Sequence, residues 1–313
     1  FTKQWYLSSP HQNHINIESA WDLTTGSSKI IVAIVDSGVD YKNPELKENL
    51  WTNKMEAAGL PGVDDDENGY IDDIYGYDFV NDDGDPMDDH SHGTHLASII
   101  GAKGNNGIGM AGIAWNVRLM PVKVLDASNS QNNLEIVERG IRYAVDNGAQ
   151  IINASFAFTF DDDEMDRKLQ SAIQYAEDRN VLVIAGSGND GEDIDSFKMI
   201  PAAFENSNIL TVTASDESGW RIDFANIGVK SVDLAAPGRK IWGLLPKLGS
   251  RFWGGTSQAT AITTGVAALV LSKYPQLKPS EVRSRIMNSV KKSSKFKGDS
   301  ITEGLLDAYQ ALL

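Results

Sequence analysis

The chain has 313 residues, of which 41% are hydrophobic and 23% are charged, a composition typical of a globular protein. Its 28 lysines and arginines face 43 aspartates and glutamates, a net charge of −15, so we expect no nucleic-acid partner, because phosphate binding needs basic patches. The absence of cysteine excludes disulfides and thiol chemistry, and no apolar run is long enough to span a membrane.

Strand-like and helix-like stretches alternate along the chain, with no repeat or low-complexity linker between them. The strand-like runs cover residues 30–36, 117–125, 150–156, 181–185, 209–214 and 232–235. The helix-like runs cover residues 92–102, 134–147, 164–179, 256–273, 279–289 and 304–313. This alternation predicts an α/β fold with a mostly parallel central sheet and helices on both faces. The length suits one domain with a deep core, so we predict a single domain over residues 1–313.

The first strand-like run is apolar and ends at Asp36, which is typical of a buried parallel strand. Open α/β sheets place functional groups at the carboxyl ends of their strands. A carboxylate at that position can fix the tautomer of a histidine and stabilise its protonated form. Asp36 is therefore a candidate catalytic residue, although it also fits a residue that only ends a strand.

An acidic loop follows, in which residues 64–73 read Asp-Asp-Asp-Glu-Asn-Gly-Tyr-Ile-Asp-Asp. Its spacing reproduces the first part of an EF-hand-type loop, with glycine at the sixth position. The predicted calcium ligands are Asp64, Asp66, Asn68, the carbonyl of Tyr70 and Asp72. The twelfth position is Tyr75 instead of glutamate, so a closing ligand has to come from elsewhere, for example from Asp73 or the acids before His90. The alternative is a solvated acidic loop with an Asn-Gly turn.

Three histidines lie close together at His90, His92 and His95. Imidazole takes up a proton near neutral pH, so each of them is a candidate general base. His95 is one helical turn beyond His92 and also fits a histidine packed in the core. The three together also fit a zinc site, because histidine is a common zinc ligand.

Ser257 lies in a glycine-rich turn directly before a long apolar helical run. The unpaired N–H groups at a helix N-terminus stabilise a developing negative charge, which favours a nucleophilic serine there. A serine at this position also fits a simple helix cap. Asn189, in the glycine-rich stretch 186–191, offers an amide donor for an oxyanion or is only a turn residue.

The order of Asp36, His92 and Ser257 is that of the subtilisin-like catalytic arrangement. The chain resembles the subtilase family of serine proteases over nearly its whole length. The segments that carry this resemblance are 34–40, 92–98, 151–155, 185–191, 235–238 and 255–257. The resemblance implies a subtilisin-like fold and a serine endopeptidase that works through an acyl-enzyme. It implies Ser257 as nucleophile, His92 as base, Asp36 as the residue that orients His92, and Asn189 as an oxyanion donor.

The resemblance also places a substrate groove beside Ser257. It implies that Ser155, Phe156 and Ala157 pair with the substrate main chain and form one wall of the first specificity pocket, with Gly188 on the opposite wall. The family usually has Ser-Leu-Gly-Gly where this chain has Ser-Phe-Ala-Phe, so we expect a narrower pocket or a bent edge. Gln258 and Ala261 replace the usual methionine and proline after the serine, and neither change removes a catalytic group.

Related subtilases commonly bind structural calcium and are usually made with a signal peptide and a pro-segment. The resemblance therefore implies a structural Ca²⁺ ion, a cleaved pro-segment, protein or peptide substrates, and a secreted or cell-surface location. The chain begins with Phe1 and contains no signal-like segment, so we expect a processed or trimmed product.

Two other functions compete with a protease. A non-catalytic peptide-binding scaffold would keep the fold and the motifs, and the altered residues beside Ser257 leave this possibility open. A nucleotide-binding α/β protein would depend on Gly186 and Gly188, which lack the remainder of the dinucleotide-binding fingerprint.

Overall fold

A mostly parallel β-sheet is the centre of the computed structural model, which describes residues 2–8, 13–130, 133–159 and 163–313. The strands are β1 (Gly26–Asp36), β2 (Tyr77–Asp78), β3 (Asn116–Lys123), β4 (Ile151–Ala154), β5 (Leu182–Gly186), β6 (Ile209–Ser215), β7 (Leu234–Pro237), β8 (Ile241–Leu245), β9 (Gly249–Trp253), β10 (Lys291–Lys292) and β11 (Gly304–Leu305). In these residues nine strands form the sheet in the order β10-β11-β7-β6-β5-β4-β1-β3-β2. All neighbours pair in parallel except β10, which runs antiparallel to β11.

Helices cover both faces of this sheet. They are α1 (Ile17–Trp21), α2 (Lys54–Ala58), α3 (His92–Gly101), α4 (Leu134–Asp146), α5 (Asp163–Asp178), α6 (Thr256–Lys273), α7 (Pro279–Asn288) and α8 (Ala308–Leu312). Side chains of β1 alternate between two apolar clusters, because successive residues of a strand point to opposite faces. Val32 and Ile34 pack with α3 and α6, whereas Ala33 and Val35 pack with α4 and α5. The predicted fold class is confirmed.

Helix α6 crosses the protein interior, and all of its residues from Thr256 to Leu271 except Ser257 are buried. A helix that has no charged face along most of its length is stable inside a protein, which explains the central position of α6. Two of its buried hydroxyls, those of Thr260 and Thr263, each donate a hydrogen bond to the carbonyl four residues earlier, and that of Thr264 donates to Oδ1 of Asn153. The N-terminus of this helix is therefore held firmly at one edge of the sheet.

The predicted helix over residues 304–313 is wrong in its first half. Gly304–Leu305 forms β11, in which Leu305 pairs with Ala235 of β7, and the helix begins only at Ala308. Asp307 caps that helix by accepting a hydrogen bond from the backbone N–H of Gln310 at 3.0 Å. Pairing with an existing strand edge thus overrode the local helical pattern.

The hairpin of β8 and β9 has no counterpart among the predicted elements. It packs beside α3, where Ser98 accepts a hydrogen bond from the backbone N–H of Leu244 at 3.0 Å. The hairpin ends at Trp253, which leads directly into the N-terminus of α6. None of the helices among the described residues combines the length and apolarity needed to cross a bilayer.

Candidate active site

The candidate residues meet at the carboxyl edge of the sheet because their elements end or begin there. Strand β1 ends at Asp36, α3 begins at His92, and α6 begins one residue before Ser257. Asn189 follows the end of β5, whose neighbour β4 leads into Ser155. This is the edge at which open parallel sheets place ligand sites.

Asp36 and His92 form a buried pair. Nδ1 of His92 lies 2.8 Å from Oδ1 of Asp36, and the same oxygen accepts the backbone N–H of Ser37 at 2.8 Å. Asp36 is fully buried, and His92 is 5% exposed. An ionised carboxylate can only accept hydrogen bonds, so the proton of neutral His92 lies on Nδ1. Nε2 is then free to accept a proton from another group.

The electrostatic surroundings of His92 favour its protonated form. Burial alone lowers the pKa of His92, because an imidazolium is poorly solvated inside a protein. The charge of Asp36, its hydrogen bond and the charge of Asp88 act in the other direction and outweigh burial, so the pKa is raised. An imidazolium formed during a reaction is therefore stabilised in place.

Asp88 is one of the acids before His90 that were considered as closing calcium ligands, but the structure places it between Ser37 and the start of α3, a position not predicted from the sequence. Its carboxylate accepts hydrogen bonds from the backbone N–H groups of Ser91 and Thr94 at 2.7 and 2.9 Å, and from Oγ of Ser37 at 2.9 Å. It thereby joins the residue after Asp36 to the first turn of α3. The available signal for this role was the position of an acidic residue just before a predicted helix, because carboxylates stabilise helix N-termini.

Ser257 faces the segment after β4. Its Oγ donates a hydrogen bond to the carbonyl of Ser155 at 3.2 Å, and Oγ of Ser155 donates to the carbonyl of Ser257 at 3.3 Å. Within the described residues, no hydrogen bond joins Ser257 to His92. Catalytic hydrogen bonds are often long or misaligned before substrate binds, and rotation about χ1 of Ser257 releases the hydroxyl from Ser155.

Asn189 is anchored to the same helix N-terminus. Its Oδ1 accepts the backbone N–H of Thr256 at 2.9 Å. This bond fixes the orientation of the amide and leaves Nδ2 as the group that can donate toward Ser257. The backbone N–H of Ser257 lies in the first turn of α6, where N–H groups have no partner within the helix. Together these groups can bind a negatively charged oxygen.

A pocket of about 200 Å³ opens beside Ser257. It brings together the predicted wall residues Ser155, Phe156, Ala157 and Gly188. It is also lined by Met199 and Asp190. Met199 was not predicted as a pocket residue, because it lies in a segment without a recognised motif.

The other two histidines do not form a metal site with His92. The rings of His90, His92 and His95 surround Trp253 at centroid distances of 5.5 to 6.0 Å. Burial, followed by the nearby His92, lowers the pKa of His95 to about 3, so His95 is neutral. The described residues place one group of acids, and no group of histidines, close enough to share a metal ion. The alternative of a zinc site is therefore not supported.

The acidic loop brings together Asp64 and Asp66 of the predicted calcium ligands. Oxygens of these two residues and of Glu56 all lie within 4.8 Å of one another. Glu56 was missed because it lies in α2, eight residues before Asp64. Three carboxylates form an oxygen donor set that suits a hard cation such as calcium. The residues therefore fit the implied ion.

The acidic group does not include Asp72, and Asn68, Tyr70 and Asp72 make other contacts. Nδ2 of Asn68 donates to Asp66 at 3.2 Å and to Asp73 at 3.1 Å, and Oδ2 of Asp72 accepts the N–H of Gly62 at 2.8 Å. The ring of Tyr70 packs against Tyr143 at 4.9 Å.

Asp73, considered as a closing ligand, is buried below the loop. It accepts hydrogen bonds from Tyr143 at 2.6 Å and from Asn53 at 2.7 Å. Burial raises its pKa to about 6. These contacts make Asp73 a structural support of the loop.

Comparison with known proteins identifies the family. The sequence profile of the subtilase family matches residues 27–304. Subtilisin-like protease 1 of Plasmodium berghei (strain Anka) is 33% identical over 309 residues, which cover 93% of this chain and 51% of that protein. Thermitase of Thermoactinomyces vulgaris is also 33% identical over 309 residues, covering 98% of this chain and 97% of thermitase. The structure of the prenylagaramide maturation protease PagA has a TM-score of 0.74 and 31% identity, covering 95% of this chain and 97% of PagA.

The chain therefore belongs to the subtilase family, as its motifs predicted. It spans about half the length of several of the curated relatives it matches, including the Plasmodium protein, whereas it spans nearly all of thermitase.

Proposed function

We propose that this chain is a serine endopeptidase whose catalytic triad is Ser257, His92 and Asp36. The observation that carries the proposal is the 2.8 Å contact of His92 with buried Asp36, at the sheet edge where α6 presents Ser257. The raised pKa of His92 and the membership in the subtilase family support it.

In the proposed reaction, Oγ of Ser257 attacks the scissile carbonyl carbon while Nε2 of His92 takes the hydroxyl proton. His92 then gives this proton to the leaving nitrogen, the C–N bond breaks, and an ester to Ser257 remains. A water molecule, deprotonated by His92, attacks the ester, releases the acid and restores the serine. Asp36 stays ionised throughout and stabilises the imidazolium in each half of the reaction.

The negatively charged oxygen formed from the substrate carbonyl would accept hydrogen bonds from Nδ2 of Asn189 and from the backbone N–H of Ser257. Both donors are held before the reaction, the first by its bond to Thr256 and the second by the helix. Preorganised donors need no rearrangement when charge develops, which is why such sites contribute strongly to catalysis.

Protein or peptide chains are the proposed substrates. Ser155, Phe156 and Ala157 would accompany the substrate main chain, and the side chain before the scissile bond would enter the pocket between them and Gly188. The cleaved pro-segment and the secreted or cell-surface location remain part of the proposal, supported by the family resemblance.

Calcium is the proposed structural ion of the acidic loop. Asp64, Asp66 and Glu56 would hold it, because their oxygens lie within 4.8 Å of one another. Asn68, the carbonyl of Tyr70 and Asp72 are the further ligands proposed from spacing alone. A calcium ion would cancel the mutual repulsion of these carboxylates and so stabilise the loop. This ion would have no part in the chemical step.

A serine-directed phosphonate tests the protease function. We expect mass spectrometry to find one covalent adduct on Ser257, lost in Ser257→Ala and strongly slowed in His92→Ala, because the hydroxyl needs its base. Ser250→Ala, which changes an exposed serine on β9, is the matched control and should label like the unmodified protein. A protein that binds peptides but is neither labelled nor able to cleave them would be the scaffold instead.

A further inference from the structure

The pocket beside Ser257 lies between the segments that follow β4 and β5. These strands run in parallel with Ala154 beside Ala185, and the two segments separate beyond that pair. The cavity of about 200 Å³ includes the space at Ser257 itself, where the scissile peptide has to lie. Only the remaining volume is available to the side chain that precedes the scissile bond.

Met199 reaches this pocket from a third segment. Phe158 and Ile200 exchange two backbone hydrogen bonds, each 2.9 Å long, which places Met199 against the 155–158 wall. The residue is only 5% exposed. Its terminal methyl lies 3.0 Å from the position that a Cβ on Gly188 would occupy. The thioether side chain therefore extends from one wall of the pocket to the other.

The wall that Met199 touches is held rigidly by Asn226, which is fully buried. Nδ2 of Asn226 donates to the carbonyl of Ser187 at 3.0 Å, and its Oδ1 accepts the N–H groups of Asp190 and Glu192, each at 2.9 Å. Because hydrogen bonds fix this wall, the space between it and the 155–158 segment depends on the side chain of Met199, which lies between the two.

We propose that Met199 is a specificity-determining residue that closes the pocket to large aromatic side chains. The favoured substrates then carry an aliphatic residue of up to about leucine size before the scissile bond, and phenylalanine, tyrosine and tryptophan are disfavoured. This inference rests on the proposed protease function. A cavity of about 150 Å³ is just large enough for a benzene ring. The 200 Å³ of this pocket also has to hold the peptide main chain, so the volume left for a side chain is smaller.

The chemistry of the lining favours an aliphatic side chain over a charged one. The lining includes the side chains of Met199 and Phe156, both of which are buried, and the backbone of Gly188. Among the described residues that line the pocket, Asp190 is the only charged one, and its side chain is exposed. A side chain that reaches the floor meets apolar groups and gains most from being apolar itself.

The test is a series of peptide anilides that differ only in the residue before the anilide: alanine, leucine or phenylalanine. We expect kcat/KM of the unmodified protein to be at least tenfold higher for leucine than for phenylalanine. Met199→Ala should raise kcat/KM for phenylalanine relative to leucine by about 10- to 100-fold, the range produced by small volume changes in apolar pockets. Met199→Leu keeps most of the side-chain volume and should keep the original preference.

The outcomes separate this inference from the protease function. An enzyme that is labelled at Ser257 and cleaves phenylalanine as fast as leucine would overturn the role of Met199 alone. So would a folded Met199→Ala protein with unchanged selectivity. A chain that is neither labelled nor cleaves any peptide would overturn the protease function. Should Met199→Ala fail to fold, the leucine-to-phenylalanine ratio of the unmodified protein, and peptide binding to Ser257→Ala, decide the question.

Discussion

Asn189 has two separable tasks in this structure, and two substitutions distinguish them. Its Oδ1 accepts the N–H of Thr256 at the start of α6, and its Nδ2 is the proposed oxyanion donor. Asn189→Ala removes both groups. Asn189→Asp keeps an acceptor for Thr256 but replaces the donor with a negatively charged oxygen.

The expected magnitudes differ for turnover and stability. Loss of one oxyanion donor lowers kcat by about 10²- to 10³-fold, so both variants should lose at least this much, with KM little changed. Asn189→Asp should lose more, because a carboxylate repels the developing oxyanion. The bond to Thr256 resembles a helix cap, and its loss in Asn189→Ala should cost about 1 kcal/mol of stability. For a chain of this size that is about 2 °C in Tm.

The assays are steady-state hydrolysis of a peptide anilide and thermal melting. Melting is measured in the Ser257→Ala background, so that self-digestion does not contribute. We expect Asn189→Asp to melt at or above the temperature of its parent, because the charged acceptor makes a stronger bond to the N–H at a helix N-terminus. Unchanged kcat in Asn189→Asp would refute the oxyanion assignment. Equal losses of Tm in both variants would refute the role given to Oδ1.

Three further predictions concern pH, calcium and oxidation. Protonated His92 cannot accept the serine proton, and Asp36 raises the pKa of His92, so kcat/KM should fall with decreasing pH around an apparent pKa above 6.5. Asp36→Asn should move this fall in kcat/KM to lower pH and lower kcat about 10⁴-fold. Calcium at a hundredfold excess over its Kd should stabilise the Ser257→Ala protein by about 2.7 kcal/mol in melting curves, and a chelator or Asp66→Ala should remove this gain. An Asp66→Ala protein with the same calcium response as its parent would place the ion elsewhere. Gln258, next to Ser257, has no sulfur, so peroxide should inactivate the unmodified enzyme more slowly than a Gln258→Met variant. Equal inactivation rates, with a sulfoxide on another methionine, would show that this other methionine is the sensitive residue.

The sequence predicted the strands and helices that surround the site because their patterns are local. Helix α6 has the predicted limits, and β1 ends at Asp36 as predicted but begins four residues earlier, at Gly26. Glycine-rich turns and polar residues at strand ends also indicated which edge of the sheet carries the site. The helix expected from residue 304 failed where pairing of Leu305 with β7 decided the local structure.

The roles of three residues in the sites were not predicted from the sequence, because each role depends on contacts with a distant segment. Met199 enters the pocket through its neighbour's pairing with Phe158, and Glu56 joins Asp64 and Asp66 from a separate helix. Asp88 joins two elements by accepting hydrogen bonds from both. Such contacts depend on how distant segments pack.

What the sequence determined by itself is therefore the family, the order of the main strands and helices, and the candidate triad, because periodicity and short motifs record local geometry. The tertiary structure alone decided the contact of His92 with Asp36, the hydrogen bond of Ser257 to Ser155, and the place of Met199 in the pocket lining. These features are distances between side chains that lie far apart in the chain, and only the packing of helices on the sheet sets such distances.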